Sequence, residues 1–429
     1  MEQKKTYQPA IKTDHAFRRM GAGSRQRYKV YGQRSRGRGA VSNSTGRYEN
    51  QQRETLLDDA LVAGDLNKCD NQTHVTVETA KSIITKNKSP DIPFAQSINT
   101  YRGCEHGCVY CFARQSHAYM GLSAGLDFER RLFRKADAAR LLEQELSRKS
   151  YKMSPIALGT NTDPYQPIEK TYKTTREILE VLNNFNHPCS IVTKNHLVTR
   201  DADILADMAS KGLVKVYMSV TTLNAKLARL MEPRASIPAK RLDALHLLHE
   251  AGIPTGVMVA PVIPAINDTE MEQILAAAKG AGVREAAYIL LRLPREVADI
   301  FTEWLDAYFP DRKDRVLSRL KAMRGGRVND PRYKHRMKGM GVEAAMIKRR
   351  FHIHCQRLGL NQGEQAHEMA EASTKDFIKK RIDVPAPSRK RHAEEALPDC
   401  ARKIQANFYV PPHIQRKEDK ETGQLNLFS

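Results

Sequence analysis

The chain predicts a mixed α/β fold, a βα-barrel or partial barrel of mostly parallel strands with a helical extension and polar ends. Three observations carry this. From about Val75, short β-branched or apolar runs alternate with amphipathic stretches, the rhythm of repeated strand–helix units. Small hydroxyl, amide and charged residues stand where several of those runs end, and chemistry in such folds sits at the C-terminal strand ends. The first seventy-odd and last seventy residues are too polar to build a core.

Taken in order, residues 1–74 hold Arg18, Arg19, Arg25, Arg27, Lys29, Arg34, Arg36, Arg38 and Arg47 among Gly, Ser, Gln and Asn. They read as a disordered basic arm, either a solubilising tail or a non-specific contact to nucleic-acid phosphates. Residues 75–295 read as the barrel. Strands are expected at Ile156–Gly159, Ser190–Thr193, Val214–Ser219, Thr255–Pro261 and Ala287–Leu291, and helices at Ala136–Arg148, Thr174–Asn184, Asp203–Ser210, Ala239–Ala251 and Thr269–Ala281. Residues 296–360 read as a helical extension, interrupted by the turn formers Arg324-Gly325-Gly326-Arg327 and Asn329-Asp330-Pro331. Residues 361–429, with Pro385, Pro387, Pro398, Pro411 and Pro412, read as a linker and flexible tail.

The 429 residues include 70 Lys plus Arg against 49 Asp plus Glu, a formal charge of +21. Such an excess attracts polyanions, DNA and RNA alike. No apolar run approaches the roughly 18 to 20 residues that span a bilayer, and Met1-Glu2-Gln3-Lys4-Lys5 leads into no apolar signal segment. The expectation is a cytoplasmic protein with no membrane partner. Seven cysteines, an odd number in a long chain, do not form the even framework of a small secreted domain.

Three of them are clustered in Tyr101-Arg102-Gly103-Cys104-Glu105-His106-Gly107-Cys108-Val109-Tyr110-Cys111. Glycines allow a tight loop, and three thiolates can hold three irons of a [4Fe-4S] cubane while the fourth iron stays open to an external chelator. A structural zinc is the alternative, with His106 or the run His352-Ile353-His354-Cys355 supplying a fourth ligand. Those last residues also read as one face of a helix. Cys69, Cys189 and Cys400 are isolated.

The spacing, with an aromatic residue before the last cysteine, resembles the signature of the radical S-adenosylmethionine (SAM) enzymes. The resemblance implies a [4Fe-4S] cluster on Cys104, Cys108 and Cys111, SAM chelated by the open iron, and reductive cleavage of SAM to methionine and a 5'-deoxyadenosyl radical that abstracts hydrogen from a substrate. It also implies a partial (β/α)6-type barrel and a reduced flavodoxin- or ferredoxin-type electron donor. Ser97-Ile98-Asn99-Thr100-Tyr101-Arg102-Gly103, Thr162-Asp163-Pro164-Tyr165-Gln166-Pro167 and Ala260-Pro261-Val262-Ile263-Pro264 together resemble the spore photoproduct lyase-related, DNA repair photolyase-like branch, over about Ile84 to Leu360. On that resemblance Tyr110 packs near the adenine or offers it its backbone, and Thr162, Lys194 and Ser219 between them bind the amino, carboxylate and ribose groups of SAM, with the order among them left open. One departure stands out. True spore photoproduct lyases carry a hydrogen-returning cysteine on this strand-two segment, and the matching residue here is Thr160. A hydroxyl hydrogen is far harder to abstract than a thiol hydrogen, so Thr160 does not inherit that role.

The chain ends Gly423-Gln424-Leu425-Asn426-Leu427-Phe428-Ser429, apolar residues on a polar tail, an arrangement that fits docking into a groove. It resembles the peptide by which bacterial repair and replication proteins bind the sliding clamp, with Gln424, Leu425, Leu427 and Phe428 as anchors. Three functions stay open at this level: a radical SAM enzyme acting on DNA, the same chemistry on RNA or a protein, and a non-enzymatic iron–sulfur DNA-binding protein. A strand-end polar set and three rather than four cysteines argue against the last.

Overall fold

The computed structural model describes residues 37–49, 72–333 and 335–362, all within one unit of the chain. Ten strands are formed among them: β1 (His74–Val77), β2 (Ile84–Lys86), β3 (Gln96–Ile98), β4 (Tyr101–Arg102), β5 (Arg131–Arg134), β6 (Ile156–Leu158), β7 (Cys189–Thr193), β8 (Val214–Ser219), β9 (Thr255–Val262) and β10 (Glu285–Leu290).

The main sheet runs β10-β9-β8-β7-β6-β3-β2. Strands β3, β6, β7, β8, β9 and β10 pair parallel, and β2 closes one edge antiparallel to β3. This is the expected partial barrel of six parallel strands. The helices Ala138–Leu146, Thr174–Asn184, Ala202–Ser210, Pro238–Glu250 and Met271–Gly280 lie between successive strands, as parallel pairing requires. Each buries one stripe. In Thr174–Asn184 the stripe is Ile178, Leu179 and Leu182, all fully buried, and each such side chain stabilises the fold by about 1.5–3 kcal/mol. No helix among the described residues is long and apolar enough to cross a membrane.

One strand, Val214–Ser219, and one helix, Thr174–Asn184, match the sequence reading to the residue, and the other expected elements differ by one or two residues at one or both ends. The sequence reading passed over β3. Gln96-Ser97-Ile98 has no apolar run, yet it is fully buried because it pairs on both sides, with Ile98 opposite Ile84 in one neighbour and Leu158 in the other. As the first parallel strand, β3 positions the cysteine loop that follows it.

A second sheet, β1-β5-β4, lies beside that loop. The 1–74 arm needs correction in part. Residues 37–49 form a strap: Gly39 and Ala40 N–H donate to the Glu129 carboxylate at 2.9 Å each, Ser42 donates to Glu303, and Asn43 and Asp127 exchange two hydrogen bonds. These are backbone and small polar contacts, so composition does not reveal them. The rest of the arm, residues 1–36 and 50–71, and the tail from 363 onward, including Gln424, Leu425, Leu427 and Phe428, lie outside the described residues.

The helical extension is present as Glu296–Tyr308, Pro310–Ala322, His335–Lys338 and Gly341–Arg357. Arg324, 1% exposed, ties it to the barrel. Its guanidinium donates to the carbonyls of Leu290 and Leu291 at the end of β10 and of His335 and Arg336.

Candidate active site

Tyr101-Arg102 pairs with β5, and the chain then turns at Gly103, whose φ of +76° and crowding by Leu132, Phe128 and His117 leave room for no side chain. Cys104 N–H donates to the Phe128 carbonyl, and Val109 N–H to that of Met231. Arg114, wholly buried, grips the loop from inside. It donates to the carbonyls of Cys108, Gly107, Ala124 and Gly125 and pairs with Glu129, itself wholly buried and held by the strap.

Burial pushes all three thiols up. The Asp163 carboxylate and the other two thiols add to the effect at Cys104, Glu232 adds to it at Cys108, and Arg114 opposes it at Cys111. Three mutually repelling thiolates are stable together only beside compensating positive charge, which is what iron supplies. Among the described residues no three His, Cys, Asp or Glu side chains surround a common point as they would around a single ion. A cubane puts each thiolate on a different iron and makes no such demand.

His106 is not placed as a fourth ligand. Its Nδ1 faces Asp163 Oδ2 at 3.3 Å and its Nε2 faces Asn195 at 3.2 Å. His352, His354 and Cys355 lie on the helix Gly341–Arg357, where His354 Nδ1 meets the Arg350 carbonyl and Cys355 is buried among core residues.

The strand ends converge on the cysteine loop. After β6, Thr162 donates to the Gly103 carbonyl at 2.6 Å, while Gln166 bonds Gly103 and Thr162 and accepts from Glu105 N–H. Asp163 accepts from Thr193 Oγ1 and from the N–H groups of Lys194 and Tyr165. Burial alone would raise its pKa, but His106 and these donors push it down to about 2. It therefore stays ionised and fixes the end of β7. Lys194 Nζ lies 5.9 Å from the centre of the Tyr110 ring. Burial opposes its charge, but Cys108 and Glu232 outweigh that and raise its pKa. Tyr110 donates to Glu232, which also receives Thr221 and Arg241. Arg241 in turn holds the carbonyl of Ser219, the buried last residue of β8.

Tyr110 is thus part of the cysteine loop and Thr162 bonds to it directly, while Lys194 reaches it through Asp163, and Ser219 through Arg241 and Glu232. Sequence reasoning missed the residues that connect them: Arg114, Glu129, Glu232 and Arg241. Each partner lies far along the chain or in a segment with no metal-like spacing, so no local pattern marks them.

Comparison with known proteins decides the family. The model of the Radical SAM superfamily matches residues 98–278, from β3 to the helix before β10. A protein of Mycobacterium tuberculosis, described as uncharacterized, is 34% identical over 258 residues, covering 59% of this chain and 75% of that protein. The chain belongs to the radical SAM superfamily. A second uncharacterized protein, from Methanocaldococcus jannaschii, is 30% identical over 194 residues, 44% of this chain and 68% of that one. Among solved structures, spore photoproduct lyase complexed with dinucleoside spore photoproduct aligns with a TM-score of 0.49 at 16% identity, over 67% of this chain and 80% of that chain. Membership in the radical SAM superfamily makes this protein an enzyme and implies a [4Fe-4S] cluster and SAM, groups that the buried three-thiol loop fits in number and chemistry.

Proposed function

We propose that the protein is a radical SAM enzyme acting on nucleic acid, DNA in the first place, with Cys104, Cys108 and Cys111 as the cluster ligands. The observation that carries the chemistry is three thiols on one loop at the C-terminal end of the first parallel strand, Cys104 and Cys108 buried and Cys111 half-buried, with a cationic Lys194 over Tyr110 beside them. When bound, the cluster and SAM supply one-electron bond cleavage and hydrogen-atom abstraction.

The chain's own residues do the rest. Lys194, kept protonated by its neighbours, offers an ammonium to the SAM carboxylate. Thr162 spends its proton on Gly103 and accepts from Gln166, so one lone pair remains to accept from the SAM amino group. Tyr110, fixed through Glu232, presents a flat ring for the adenine, and Ser219 stands at the end of β8 for the ribose. Arg114 and Glu129 hold the loop closed against water. Anaerobically reconstituted protein is expected to release 5'-deoxyadenosine on reduction, and Cys108→Ala to abolish it. A reconstituted cluster that neither binds nor cleaves SAM overturns the reading.

The DNA substrate is supported by the +21 charge, the branch resemblance and the clamp-like tail. Deuterium passing from labelled DNA into 5'-deoxyadenosine tests it, and transfer from RNA or a peptide instead refutes it. Thr160 donates to Asn99, and Cys189 opens β7 at the opposite end from Lys194, so the hydrogen that closes the reaction comes from elsewhere than a strand-two thiol. For the tail, Leu427→Ala with Phe428→Ala is expected to remove binding to a purified sliding clamp; unchanged binding disposes of that partner.

A further inference from the structure

We propose that Arg292 anchors a phosphodiester of the substrate strand at the mouth of the barrel. The proposal rests on the nucleic-acid reading above and names a residue that reads backbone charge.

Arg292 lies two residues beyond the end of β10, on the same end of the sheet as the cysteine loop. Its guanidinium carbon sits 5.5 Å from the ring centre of Phe112, the residue next to Cys111. Its Nε is buried with no hydrogen-bond partner, and the contact found for Nη1 is the Met337 sulfur at 3.5 Å. Two further guanidiniums stand near it. Arg336 engages both oxygens of Asp91, and Arg324, which also feels the Asp330 carboxylate, is committed to four carbonyls. Both Asp91 oxygens are thus taken by Arg336, and Asp91 acts on Arg292 only from a distance, without a hydrogen bond to it. An unpaired cation half out of water is unfavourable by itself and becomes favourable when an anion with two acceptor oxygens arrives. Phosphate fits that fork. Burial and the two neighbouring guanidiniums push the Arg292 pKa down only to about 10, so it is charged at neutral pH.

A second contact on the same seam points to the same ligand. Three residues on, Arg295 donates to Tyr119 Oη at 3.0 Å. Tyr119 stacks on Tyr48 with centroids 5.7 Å apart, and the Arg47 guanidinium lies within 5.5 Å of both ring centres. Tyr48 is 45% exposed. The Arg47 guanidinium also pairs with Glu296, so what this contact offers is the exposed Tyr48 ring, a surface of the kind a single-stranded base stacks upon. Phe112 opens, and Tyr119 follows, the short helical stretch 112–118 after Cys111, so both contacts belong to the segment next to the cluster loop. The SAM carboxylate has its own partner in Lys194, on the Tyr110 side.

The test is fluorescence anisotropy of reconstituted protein with labelled single-stranded DNA and RNA oligonucleotides across a salt series. Arg292→Gln is expected to weaken binding about tenfold whatever the sequence, to make the salt slope shallower by about 1, and to leave SAM affinity and substrate-free 5'-deoxyadenosine release unchanged. Arg292→Lys should regain the slope and part of the affinity. Thermal stability of the Gln variant should equal or exceed that of the parent, because an unpaired charge is removed. A larger weakening on DNA than on RNA assigns the phosphodiester to DNA, and the reverse to RNA. Unchanged affinity and slope, a fall in SAM affinity, or a loss of thermal stability overturns the assignment. If the parent protein binds neither oligonucleotide, the nucleic-acid reading itself fails.

Discussion

Replacing Glu129 by Gln tests whether the strap and Arg114 hold the cysteine loop. The carboxylate accepts from Gly39 N–H, Ala40 N–H and Arg114, and all of it is buried. Gln has nearly the same shape but one acceptor oxygen in place of two and no charge. Arg114 is then left as a buried cation without its partner, and one backbone N–H faces an amide NH2. Breaking a buried pair from one side costs about 3–5 kcal/mol. At about 2 °C per kcal/mol in a unit of this size, the melting midpoint should drop by about 6–10 °C. Because Arg114 also carries the Gly107 and Cys108 carbonyls, iron bound per chain after reconstitution should fall as well. Thermal denaturation followed by circular dichroism, together with iron analysis, reads both effects. The exposed pair Arg140–Asp137 supplies the contrast: Arg140→Ala should move the midpoint by about 1 °C or less. A Glu129→Gln protein that melts within about 1 °C of the parent and binds its full iron would refute the reasoning.

Two further outcomes are expected. His117 is buried between Phe128 and Phe133 with its Nε2 on the Arg131 carbonyl and its Nδ1 unpartnered, and burial pushes its pKa down to about 4 from 6.5. The unfolded chain therefore takes up a proton below pH 6.5 that the folded one refuses. Stability from this group is complete above pH 6.5 and is lost as pH falls toward 4, by about 3 kcal/mol in all. Melting midpoints of His117→Asn should be correspondingly flatter over that window, and an unaltered slope would exclude His117 as the source. At Gly39 an added Cβ would stand 1.8 Å from the Gly107 carbonyl oxygen, so Gly39→Ala should dislodge the strap and speed tryptic cleavage after Arg47; an unchanged cleavage rate would show that the strap is held without this close approach.

The parallel strands and their helices were legible because hydrophobic period reports burial directly: Val214–Ser219 and Thr174–Asn184 carry unbroken apolar patterns. The cysteine loop was legible because ligand spacing is local. What escaped is structure maintained by pairing across long separations. β3 is a strand by virtue of its neighbours, and the strap is ordered by hydrogen bonds from glycine and alanine backbones. Arg114 and Glu129 were indistinguishable from surface charges, since their burial follows from the carbonyls and N–H groups that tertiary structure delivers to them. Arg324 was read only as part of a turn, yet its guanidinium joins the extension to the barrel.

The restraints on the cysteine loop come from both directions along the chain and from far away. Gly39 reaches Glu129 across 90 residues, Thr162 reaches Gly103 across 59, and Glu232 reaches Tyr110 across 122. Contacts of such separation carry the loop-closure entropy that slows folding. Enclosure of the three thiols therefore depends on loops of 59 to 122 residues being closed, each at an entropic cost that local helices do not carry. The enclosure of residues 103–111 is thus a property of the whole unit: loosening any one of these distant partners loosens the loop.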